Sequence, residues 1–191
     1  MARWEPDAHG RMTAAAITLF TEHGYDNVTV AQIAAEVGVT ERTFFRHFTD
    51  KREVLFDRSN TMQNRVVGLI ESAAPGDPWT ITIDAFREMS DDLFNGLHAR
   101  SRQRQRIIES SGELQERELL KMAALTTAIT QAHLERGCDA KTSDLVARVA
   151  ASVFSAGFRR WVHGSGRLSD SIAEVDVELR ALIARPGSTA G

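Results

Sequence analysis

Residues 28–56 read VTVAQIAAEVGVTERTFFRHFTDKREVLF, and the fold follows from how this stretch divides at Gly38. Thr29 stands three residues ahead of Gln32, the spacing of a capping box. Val30, Ile33, Ala34 and Val37 then recur at i, i+3, i+4 and i+7, which gives a short helix one apolar face. Gly38 can take the left-handed backbone that ends a helix and turns the chain. Thr40 is positioned to cap a second helix, with Glu41 at the positive end of its dipole. About 100° per residue places Phe44 and Phe48 on one side of that helix. Arg42, Thr43 and Arg46 then fall on the other side, with Phe45 on the flank.

An apolar inner face opposed to an Arg/Thr outer face is what a helix needs to enter the DNA major groove. Arginine bonds guanine through two parallel N–H groups, and threonine meets a thymine methyl or a phosphate. Helix, glycine-containing turn and helix together predict a helix-turn-helix unit. The bland reading of the same pattern is a helical hairpin whose arginines are merely solvated. The run GVTERTFFRHFTDKREVLF resembles the DNA-binding region of TetR-family transcriptional regulators, with its Gly-Val turn, Thr-aromatic-aromatic recognition helix and Phe-x-x-Lys junction. The resemblance covers roughly residues 8–58. It implies that Thr29, Thr40, Glu41, Arg42, Thr43 and Phe45 contact groove and backbone, with His47 and Lys51 at phosphates. Phe45 stands where this family often has Tyr, so a phenolic bond to phosphate is excluded. Arg42 occupies a position that varies in the family and is expected to shape operator choice.

Working outward, residues 10–23 carry Met12, Ala15, Ala16, Leu19 and Phe20 at helical spacing before Gly24. That stripe predicts a first helix packed on Ile33, Val37, Phe44 and Phe48, with residues 1–10 as a loose arm. Asp50 with Glu53 is a further capping pattern, opening a helix to about residue 73 that in TetR-like proteins links the two parts of the chain. Ala74-Pro75-Gly76-Asp77-Pro78 is the clearest break, with Asp77 as cap and Pro78 at the first helical position. Helices are predicted through Leu97, from a Ser110–Glu113 capping box to near Gly137, over residues 142–162, and from a Ser169 cap onward. Pro186 opens a frayed tail. No strand alternation occurs, so the expected fold is all-α. Residues 1–50 are read as a three-helix helix-turn-helix DNA-binding domain. Residues 51–191, with 51–73 as linking helix, are read as a helical ligand-binding and dimerisation bundle.

The chain has 191 residues, 42% hydrophobic and 26% charged, enough for a real core. A net charge of −3 argues against indiscriminate nucleic-acid binding. Affinity depends on local charge, however, and Arg42, Arg46, Lys51 and Arg52 outnumber Glu41 and Asp50 between residues 40 and 52. Cys138 is alone, which rules out an internal disulfide, and residues 1–10 lack an apolar core segment. With no apolar run long enough to span a bilayer, a cytoplasmic location is expected. His23, His47, His98, His133 and His163 fall in no metal-ligand spacing, so no metal is expected. Gly164-Ser165-Gly166 is no dinucleotide fingerprint, and Ser110, Ser111, Asp91 and Asp92 have no catalytic companions. No cofactor and no catalysis are expected.

The second half carries Arg100, Arg102, Arg104 and Arg106, which on a helix form two pairs rather than one stripe. Solvated surface arginines and a phosphate-accepting cluster at a pocket mouth both fit that spacing. The stretch RQRQRIIESSGELQERELLKMAALTTAITQAHLERG resembles the ligand-binding half of a TetR subgroup that includes the mycofactocin-system regulator, responsive to long-chain acyl-coenzyme A. Helices at 79–97, 113–136 and 142–162 also carry more apolar surface than a one-sided bundle helix needs, so Trp79, Phe86, Met89, Leu93, Met122, Ile129, Phe154 and Phe158 are the candidate lining of an apolar slot, with Arg100, Arg102, Arg104 or Arg106 for ligand phosphates; plain core packing is the commoner use of such residues. The family also implies a homodimer through the last two helices, whose small residues permit close packing. The expected partners are therefore a palindromic double-stranded DNA operator, a small-molecule effector and a second copy, with no membrane. A ligand-independent DNA-binding activator, or a helical enzyme or carrier keeping the helix-turn-helix as scaffold, are the alternatives.

Overall fold

A computed structural model describes residues 8–184, with no side-chain description for Asp57 and Arg58. The expected arm ahead of Ala8 and the tail from Pro186 lie outside the described residues. The described residues form only helices: α1 (Ala8–His23), α2 (Val30–Glu36), α3 (Glu41–His47), α4 (Glu53–Ser72), α5 (Pro78–Phe94), α6 (His98–Glu109), α7 (Gly112–Glu135), α8 (Ala140–His163) and α9 (Leu168–Ile183). The all-α expectation holds.

Several ends differ from the sequence reading, each for a local reason. α1 begins at Ala8 rather than Gly10. α5 stops at Phe94, short of Leu97, where Gly96 adopts φ +72°. Ser110 does not cap α7; its hydroxyl donates to the Ile107 carbonyl 2.8 Å away and closes the end of α6. Ser169 lies inside α9 and donates to Asp91 at 2.7 Å instead of capping. α8 starts two residues early because Asp139 accepts from the backbone of both Lys141 and Thr142.

Packing divides the chain into two compact units. The first contains residues up to Thr61 together with Arg100–Lys121. Its core gathers Met12, Phe20, Tyr25, Ile33, Phe44 and Phe48 from α1–α3 and their connections, with Leu55, Phe56, Ile107, Ile108 and Leu114. The start of α4, all but the first two residues of α6 and the start of α7 therefore belong to one unit with the helix-turn-helix. The second unit contains Met62–Ala99 and the residues from Met122 onward. Its core holds Val66, Ile70, Phe86, Met89, Ile129, Phe154, Trp161 and Ile172. There α8 and α9 approach closely: a Cβ on Gly157 would stand 3.0 Å from the Ile172 Cα.

Candidate nucleic-acid interface

Both helices of the predicted motif are fixed by local hydrogen bonding. The Thr29 backbone N–H donates to Gln32 Oε1 at 2.7 Å, and the Gln32 N–H returns to Thr29 Oγ1 at 3.2 Å. That reciprocal pair is the capping box that starts α2. At the other end Gly38, with φ +71°, sends its N–H to the Ala35 carbonyl, while Val39 sends its own to Ala34. Two such bonds satisfy helix-end carbonyls and swing the chain into the next helix. Thr40 then caps α3 by accepting from the Thr43 N–H at 3.2 Å, and the two threonine hydroxyls lie 3.1 Å apart.

The faces of α3 separate as its periodicity dictates. Phe44 is fully buried and Phe48 nearly so, their rings 5.0 Å apart. On the opposite face Arg42 and Arg46 are exposed, and neither has a side-chain partner among the described residues. Phe45 leaves 53% of its surface exposed and stands edge-on to Phe44, centroids 5.6 Å apart. Exposing half a phenyl ring to water is unfavourable, and beside two exposed guanidiniums it suits contact with base methyls and sugars. Glu41 is exposed in the first turn of α3. His47 is exposed at the helix end, its ring 5.8 Å from that of His9. Partial burial, then the neighbouring Arg46 and His9, hold the His47 imidazole below its ordinary pKa.

Lys51 turns its side chain to the connection between α1 and α2. Its ammonium donates to the carbonyls of Tyr25 at 2.9 Å and Val28 at 3.0 Å, and sits 4.0 Å from the centre of the Tyr25 ring. Behind it, residues 52 and 53 are held by ion pairs. Arg52 pairs with Asp50 and Glu113, and Glu53 accepts from Arg117 at 2.6 Å and Lys121 at 3.0 Å. Arg46 joins Arg42 on the outer face, although the family resemblance gives it no DNA contact; the signal for it in the sequence is its i+4 spacing from Arg42.

The eight apolar ligand residues come together in or against the core of the second unit, and Arg104 is not among them. Arg104 belongs to the first unit, where it donates to the Leu55 carbonyl at 2.6 Å, pairs with Glu118 and lies over the Phe56 ring. In the second unit Phe86, Met89 and Ile129 are fully buried, and Phe86 stacks on Phe154 at 4.9 Å. Phe158 meets Phe94 edge-on, Leu93 packs against the same core, and the indole of Trp79 donates to Asp176 at 2.9 Å. Met122 also borders open space. That space is a groove of about 600 Å³ between α7 and α8, lined also by Thr126, Thr130, Arg148, Ser152 and Arg159. Sequence reasoning missed it because an open groove carries no apolar periodicity. Among the described residues no cluster of His, Cys, Asp and Glu could hold a metal, and no helix is long and apolar enough to cross a membrane.

A capped helix-turn-helix, backed by its own core and followed by a helical bundle, defines the class of all-α DNA-binding regulators. Residues 13–57 match the family described as "Bacterial regulatory proteins, tetR family". Over those residues the chain is similar to the DNA-binding part of that family. TcmR, an HTH-type transcriptional regulator of Streptomyces glaucescens, is 38% identical over 82 residues, which cover 42% of this chain and 36% of TcmR. The chain thus aligns with about a third of that relative's length. MftR of Mycobacterium tuberculosis, named as a mycofactocin biosynthesis transcriptional regulator, is 26% identical over 161 residues, 77% of this chain and 76% of MftR. The same fold occurs in the fatty acid degradation regulator FadR of Bacillus halodurans, with TM-score 0.59 and 18% identity over 96% of this chain and 100% of that one. It occurs also in Thermus thermophilus FadR, solved with lauroyl-CoA, with TM-score 0.51 and 18% identity over 96% of this chain and 99% of that one.

Proposed function

We propose that the protein is a ligand-responsive transcriptional repressor that binds a palindromic DNA operator as a homodimer in the cytoplasm. The observation that carries the DNA reading is the outer face of α3, where Arg42, Arg46 and Phe45 stand exposed over a fully packed Phe44. These side chains supply cations, donors and an apolar edge at the spacing of one helix face, which is what base edges and phosphates require. Dimerisation is supported by large apolar side chains left exposed in the second unit, among them Leu145 of α8 and Val177, Leu182 and Ile183 of α9. Two reading helices related by a twofold axis call for half-sites about 34–36 Å apart, or somewhat more. Selection of DNA fragments by the purified protein, followed by footprinting, tests this. A protected pseudo-palindrome is the expected result; a single asymmetric half-site covered by a monomer refutes it.

The effector we propose is a long-chain acyl-coenzyme A. Support comes from the α7–α8 groove, whose volume falls in the range of ligand sites and whose lining includes Arg148 and Arg159. The likeness in fold to a regulator solved with lauroyl-CoA points the same way. The ligand acts by linkage, favouring a conformation whose two reading helices no longer match successive grooves. A DNA-release titration compares a free fatty acid with its coenzyme A ester. Release by the ester at lower concentration is expected, equal potency removes the coenzyme A contact, and no release by either refutes the effector.

A further inference from the structure

We infer that Phe45 reads the C5-methyl group of an operator pyrimidine, so that each half-site carries a thymine, or a 5-methylcytosine in its place, at one fixed position. The inference rests on the DNA-binding function proposed above. Among the large apolar side chains left exposed in the described residues, Phe45 is the one on the helix-turn-helix, with 53% of its surface in water. Its ring stands edge-on to the buried Phe44, centroids 5.6 Å apart, while Glu41, Arg42 and Arg46 make the rest of the exposed side of α3 polar. A phenyl ring has no hydrogen-bonding group. Pressed on the phosphate wall of a groove it would strip water from charged oxygens and return no donor, which is costly. The floor of the major groove offers one kind of apolar group on its base edges, the thymine C5-methyl.

The helix geometry places the ring where that methyl lies. At about 100° per residue Phe45 stands about 60° from Arg42 and about 100° from Arg46 around α3. The two arginines therefore form the crest of the outer face and Phe45 its flank. The C5 atom of a pyrimidine sits at the margin of the groove floor, on the side of its own strand, and a side chain on the flank of a reading helix meets that margin. Three residues of helix rise about 4.5 Å and base pairs stack about 3.4 Å apart, so the methyl read by Phe45 lies within about two base pairs of the base met by Arg42. A 5-methylcytosine carries the same methyl on the same atom. The remaining methyl on this helix belongs to Thr43, which is half-buried and whose hydroxyl lies 3.1 Å from that of Thr40.

The experiment takes the operator selected by the wild-type protein and replaces each thymine in turn by deoxyuridine, which removes the methyl and leaves base pairing unchanged. At the sensitive position cytosine is then compared with 5-methylcytosine. Affinities are measured for wild type, Phe45→Ala, Phe45→Leu and Thr43→Ser. Wild type should lose about fourfold when one half-site lacks the methyl and about fifteenfold when both do, the worth of one buried methyl at each site. It should bind 5-methylcytosine about fourfold more tightly than cytosine. Phe45→Ala should bind the thymine and uracil operators equally. Phe45→Leu keeps an apolar side chain and should keep part of the discrimination, which makes it the test if the alanine variant does not fold. Thr43→Ser should discriminate as wild type does. The inference is overturned if no uracil replacement weakens wild-type binding, the result expected of a ring resting on sugars. It is overturned also if the uracil penalty persists in Phe45→Ala or disappears in Thr43→Ser. Failure of the wild-type protein to select any operator would defeat the proposed DNA function, and the inference with it.

Discussion

Replacing Glu53 by Gln should destabilise the first unit by about 2 kcal/mol, and the figure follows from the burial of the charges around it. The Glu53 side chain is 15% exposed, Lys121 17% and Arg117 28%. Fully exposed pairs contribute about 0.2–1 kcal/mol, whereas breaking a fully buried one costs about 3–5 kcal/mol because a charge is stranded. A trio with these exposures lies between the limits. Glutamine preserves shape but leaves two largely buried cations without their counter-charge. At about 2–4 °C per kcal/mol for a chain of this size, the melting temperature should fall by about 4–8 °C, measured by circular dichroism at pH 7. The pH dependence gives a second check. Burial alone would raise the Glu53 pKa, but the bonds from Arg117 and Lys121 outweigh it and hold the carboxyl below its ordinary value. The unfolded chain therefore binds the proton more readily, so this stabilisation is present above the unfolded value and is lost as pH falls through the folded one. The gap between wild type and variant should be full above about pH 5 and close on acidification below the ordinary range near 4.3. A melting shift under about 1 °C, or a gap unchanged in acid, would refute the reasoning.

Arg42→Ala should cost about 1–3 kcal/mol on the selected operator and relax base choice at one position per half-site, read by binding to permuted operators; equal losses on operator and random DNA would remove Arg42 from base reading. Gly157→Ala gains about 1 kcal/mol of helix propensity but drives a methyl against the Ile172 backbone at 3.0 Å. Backbone cannot swing aside, and overpacking costs about 1–3 kcal/mol, so a lowered melting temperature is expected and a raised one contradicts the close approach of α8 and α9. Thr29→Ala removes the α2 cap and should cost about 1 kcal/mol in thermal unfolding, a loss that Thr29→Ser should largely avoid.

The helix-turn-helix could be read from the sequence because every signal in it is local. The Thr29–Gln32 box, the Gly38 turn and the Thr40 cap each engage residues within five positions, and the 3.6-residue period alone assigned Phe44 to the core and Arg42 to the surface. An all-helical chain was legible for the same reason. Partnerships across the chain were not. Lys51 reaches carbonyls 23 and 26 residues away, Arg104 one 49 residues away, and Glu53 meets Arg117 and Lys121 at separations of 64 and 68. A cation in a sequence shows its charge but not which carbonyl will fill its coordination, so Arg104 read as free for phosphate. Likewise a wide apolar arc on α7 or α8 does not distinguish a filled core from a slot, because periodicity reports which face is buried and not what it is buried against. That choice rests on how the side chains of different helices interlock, as where Phe86 of α5 stacks on Phe154 of α8.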